Sequence, residues 1–123
     1  MKQPLAIVFY ERIMPGSQLA NRLRDLDYRV LVVTNPAQLA ATVQREMPLL
    51  LFADLATAGD VGGAIKKIKT DSATSHLPVI AFAPADQPDL LTAAQKAGAS
   101  LVISETAVVG HLMQLLDQAL HIE

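Results

Sequence analysis

The sequence predicts an α/β fold: a three-layer, doubly wound, five-stranded parallel sheet in the order 2-1-3-4-5. Three observations carry this. Short apolar runs recur along the chain, and each is continuous rather than alternating in polarity, as expected of parallel strands covered on both faces. Between the runs lie segments whose apolar residues fall at helical spacing. Runs and segments alternate strictly, giving five β-α units, and right-handed crossovers then place helices on both sides of one sheet.

Each element has its own justification. The first run, LAIVFY (5–10), is followed by Leu19, Leu23 and Leu26 on one helical face. The second, VLVV (30–33), is followed by Leu39 and Val43. Asn35 and Pro36 open that helix, an amide suited to capping followed by a proline in the first helical position. The third run, LLLFA (49–53), precedes Ala64, Ile65 and Ile68. The fourth, PVIAFA (78–83), precedes Leu90, Leu91, Ala94 and Ala97. Gly98 then stands where a left-handed C-terminal residue is wanted. The fifth run, LVI (101–103), leads to a fifth helix marked by Leu112, Leu115, Leu116 and Ala119. Pro48 and Pro78 sit at strand starts, where a missing N–H costs least. The stretch ATAGDVGG (56–63) reads as a flexible loop at the carboxyl edge of the sheet.

Composition narrows the function. A chain of 123 residues is expected to form a single domain over residues 1–123, and its 51% apolar content supports a real core. Aromatics make up only 4%, so Leu, Val, Ile and Ala must build that core. The net charge of −2 gives no nucleic-acid footprint. With no cysteine, disulfides, thiolate metal sites and cysteine nucleophiles are excluded. The N-terminal apolar run is broken by Glu11 and Arg12, too soon for a signal peptide or membrane span. The expectation is a cytoplasmic protein.

In an open α/β sheet, ligands bind beyond the carboxyl ends of the strands. Tyr10, Glu11, Asp54, Ala56, Ala83 and Glu105 all follow or end an apolar run, and the acids Glu11, Asp54 and Glu105 are expected to converge. The sequence GDVGG lacks the GK[ST] ending of a phosphate-binding loop. His76, His111 and His121 lack metal-ligand spacing and read as surface residues, with His76 at the start of the fourth strand. No nucleophile–base pair is evident, so an enzyme is not expected.

Five β-α units, a lone Asp54 after the third strand, KKIKTDSATSHLPVIAFAP and AQKAGASLVI together resemble a response-regulator receiver domain. The resemblance covers essentially the whole chain. It places Asp54 at the position of the aspartate that accepts a phosphoryl group. Tyr10 and Glu11 stand where such domains carry two acids that hold Mg²⁺. Ala83 replaces a hydroxyl residue, Glu105 a lysine, Thr106 a proline, and Val102 the aromatic that reports the switch. The metal set left by these changes is Glu11, Asp54 and the Ala56 carbonyl, a weak Mg²⁺ site. Phosphoryl transfer to a carboxylate needs its transition-state charge neutralised, chiefly by Mg²⁺ and a cation. Glu105 puts an anion where that cation is needed, and Ala83 removes the hydroxyl that would sense the group.

The resemblance thus implies a degenerate receiver-like module of a two-component phosphorelay, a pseudo-receiver acting by protein–protein interaction with weak or no phosphorylation at Asp54. Its implied partners are a histidine kinase or an output domain, with no nucleic acid or membrane. A homodimer is expected through the fourth helix, fifth strand and fifth helix, with Ala94, Val102, Val109 and Leu112 as contacts. The alternative is a flavodoxin-like domain that binds a small ligand or metal.

Overall fold

The computed structural model describes residues 4–10, 13–56 and 61–120. Its elements are β1 (Leu5–Phe9), α1 (Ile13–Asp25), β2 (Arg29–Val33), α2 (Pro36–Glu46), β3 (Leu50–Asp54), α3 (Val61–Thr70), β4 (Val79–Ala83), α4 (Pro88–Ala97), β5 (Leu101–Ser104), α5 (Glu105–Gly110) and α6 (Leu112–Leu120). The strands form one sheet in the order β2-β1-β3-β4-β5, and every adjacent pair is parallel. This is the expected three-layer topology.

The continuous apolar runs divide between two cores because side chains alternate across a strand. On one face, Ile7, Leu51, Ala53, Val79 and Ala81 meet Leu39, Val43, Ile65, Ile68 and Ala94 of α2, α3 and α4. On the other, Ala6, Val8, Leu50, Phe52, Ile80 and Phe82 meet Leu19, Leu23, Val108, Leu112 and Leu116 of α1, α5 and α6. The strands β3 and β4 are buried throughout. The edge strands β2 and β5 are only partly covered, since each has a neighbour on one side alone.

Local signals behave as their chemistry requires. The Asn35 side chain accepts a hydrogen bond from the Ala37 N–H at 2.9 Å, with Pro36 next in line. Gly98 caps α4 at φ 104°, a conformation that favours glycine. Asp27 turns the chain from α1 into β2 at φ 70°, while the Tyr28 N–H reaches back to the Leu23 carbonyl at 3.0 Å. Leu26 lies just past α1 rather than within it, yet still packs on the α1 side of the sheet.

Four expectations need correction. The fifth helix is two helices, α5 and α6, interrupted at His111; the weak helix former Gly110 precedes the break. The loop expected over residues 56–63 is shorter, because Val61 is buried and draws Val61, Gly62 and Gly63 into α3. His76 lies in the turn before β4 rather than at its start, and both His76 and His111 are exposed. His121 lies outside the described residues. Of the expected dimer contacts, Ala94 and Leu112 are core residues, 0% and 1% exposed. Each sits at a helical position that faces the sheet, so neither can touch a partner. Val102 and Val109 are half-buried.

Candidate functional site

Asp54 is the last residue of β3 and has no exposed surface. Its Oδ1 accepts the Ala56 N–H at 3.0 Å, an Asx-type turn that starts the loop after the strand. The Leu55 N–H donates to the Phe82 carbonyl at 2.8 Å, tying the same turn to β4. The lone acid is therefore built into the backbone at the carboxyl edge of the sheet.

Strand register explains its burial. Asp54 pairs laterally with Phe82, and Phe82 with Ile103. On its other side, Phe9 pairs with Ala53, so Tyr10 follows as the lateral neighbour of Asp54. Tyr10, Phe82 and Ile103 all pack with the α1, α5 and α6 core. Asp54 thus occupies one place in a row that is otherwise aromatic or apolar.

The other sequence-derived positions are spread along the edge. Tyr10 is half-buried, and its N–H donates to the Val33 carbonyl at 3.0 Å. Ala83 is fully buried in the opposite core, against α3 and α4. Val102 packs partly against that same core. Glu105 is half-buried as the first residue of α5, where the positive end of the helix favours an acid. Strand β4 separates Asp54 from Glu105. Ile103 is level with Asp54 and Glu105 lies two residues beyond it, so at about 4.8 Å per strand and about 3.3 Å per residue the Asp54 and Glu105 backbones lie about 12 Å apart. Glu11 lies outside the described residues, and among the described residues no three His, Cys, Asp or Glu side chains form a metal-holding group. The expected convergence of three acids includes Glu11 and so lies partly outside the described residues.

The candidate magnesium site can be weighed on these facts. The Asp54 carboxylate and the Ala56 carbonyl are hard oxygen donors of the kind Mg²⁺ takes. Burial opposes the fit, because Mg²⁺ keeps several waters and Asp54 presents no surface to them.

No family model matches the chain, and no curated protein matches it. Solved structures do. A protein described as a response regulator from Chloroflexus aurantiacus superimposes with a TM-score of 0.89 at 17% identity, over 98% of this chain and 100% of that one. The receiver domain of sensor histidine kinase PA1611 from Pseudomonas aeruginosa, with a magnesium ion in its active-site cleft, gives 0.87 at 16% identity, over 98% and 100% of the two chains. The receiver domain of NtrX from Brucella abortus gives 0.83 at 19% identity, over 96% and 99%. The chain has the receiver fold.

Within the receiver fold, two features escaped the sequence reading. One is the lateral row in which Asp54 sits beside Phe82 and Ile103. The other is the direct passage from β5 into α5, which makes Glu105 a helix residue rather than a loop residue. The Ser104 and Thr106 hydroxyls lie 3.3 Å apart on either side of Glu105.

Proposed function

We propose that this chain is a receiver-like signalling module over residues 1–123 that acts by protein–protein interaction, with weak or no phosphorylation at Asp54. The observation that carries the reading is the complete burial of Asp54 in a row formed with Tyr10, Phe82 and Ile103. A phosphoryl donor must reach a carboxylate oxygen, and here that oxygen faces protein. Ala83 and Glu105 add to the argument, since neither can supply the hydroxyl or the cation that phosphoryl chemistry uses. Glu11, Asp54 and the Ala56 carbonyl make at most a weak, water-rich Mg²⁺ site in an opened state. The module is not an enzyme, and its place is the cytoplasm. Among the described residues no helix is long and apolar enough to cross a membrane.

Its partners are the signalling proteins that receivers serve, a histidine kinase or an output domain. The face of α4, β5 and α5 retains Val102 and Val109 as self-association contacts, flanked by half-buried Leu90 and Leu91. The flavodoxin-like small-ligand reading has no structural observation in its favour.

Intact-mass measurement after incubation with acetyl phosphate and Mg²⁺ tests the reading. The expected spectrum is unmodified protein. Robust single phosphorylation, abolished by Asp54→Asn, overturns it.

A further inference from the structure

We draw no further inference here: the strongest candidate, the apolar seam between α1 and α6 where Met113 is exposed beside a groove lined by Leu26, Tyr28 and Leu116, is an unpartnered face, and nothing in the structure shows what covers it.

Discussion

Replacing Glu105 with lysine should make Asp54 easier to phosphorylate, and the structure sets the size of the gain. The Asp54 and Glu105 backbones lie about 12 Å apart, across β4 and two residues along the edge. At that distance and an effective dielectric near 20, two unit charges interact by about 1.4 kcal/mol. Phosphorylation adds up to about one negative charge to the carboxylate. Exchanging repulsion for attraction is therefore worth about 2.8 kcal/mol before solvent is considered. Glu105 is half-exposed, which trims the gain to about 1.4 kcal/mol, roughly tenfold in phosphoryl occupancy. Tenfold on a negligible base stays small, because Asp54 is fully buried. The triple variant Tyr10→Asp, Ala83→Thr and Glu105→Lys should do more than the sum of its parts, since the positions act on one group of atoms. Intact mass after acetyl phosphate and Mg²⁺ reads both variants. A triple variant that folds and stays wholly unmodified would refute the reasoning. So would a Glu105→Lys protein no different from the parent beside a fully active Tyr10→Asp single variant, because steric cover rather than charge would then control access to Asp54.

Four further outcomes are expected. Asp54→Ala should cost about 1–2 kcal/mol of urea stability through loss of the acceptor for the Ala56 N–H; a loss no greater than that of Asp54→Asn, which keeps an acceptor, would show that the turn bond is not what Asp54 contributes. Asn35→Ala should destabilise by about 1 kcal/mol through the lost helix cap, and an unchanged melting temperature would contradict that. Gly98→Ala should cost about 1–2 kcal/mol from the positive φ alone, and its new Cβ would also lie 3.3 Å from the Lys69 Cβ; a neutral result would show that the α4 terminus relaxes. Burial holds the Lys69 ammonium below its usual value of 10.5 and raises the Tyr28 phenol above 10.0. Stability should therefore rise with pH as folded Lys69 deprotonates, up to the unfolded value, and fall above the unfolded value of Tyr28; urea melts at about pH 9–11 should lose the rise in Lys69→Met and the fall in Tyr28→Phe.

Much of the fold was legible because its signals are local. The continuous run LLLFA needs only its own residues to show a strand covered on both faces. Asn35 with Pro36, and Gly98 after α4, announce helix ends through backbone chemistry confined to a few residues. Alternation of such elements leaves few topologies once crossovers must be right-handed. Asp54 at the end of the third strand was legible for the same reason.

Helical spacing was a weaker guide to the surface. Ala94 and Leu112 belong to apolar stripes, and a stripe shows which residues share a face without showing what that face meets. The sheet claimed both. Met113, one residue further on, had no marking in the sequence and emerged exposed.

By itself, then, the sequence determined the strands, the first four helices, the order of these elements and the acid at the carboxyl edge. Tertiary structure alone decided whether that acid meets solvent. Tyr10, Phe82 and Ile103 come from three separate strand units, and only the register of β1, β3, β4 and β5 sets them in one row with Asp54. The physical reason is the range of the forces. Backbone preferences and periodicity act over a few residues of chain, whereas burial depends on lateral neighbours that are remote in sequence and adjacent only once the sheet has formed.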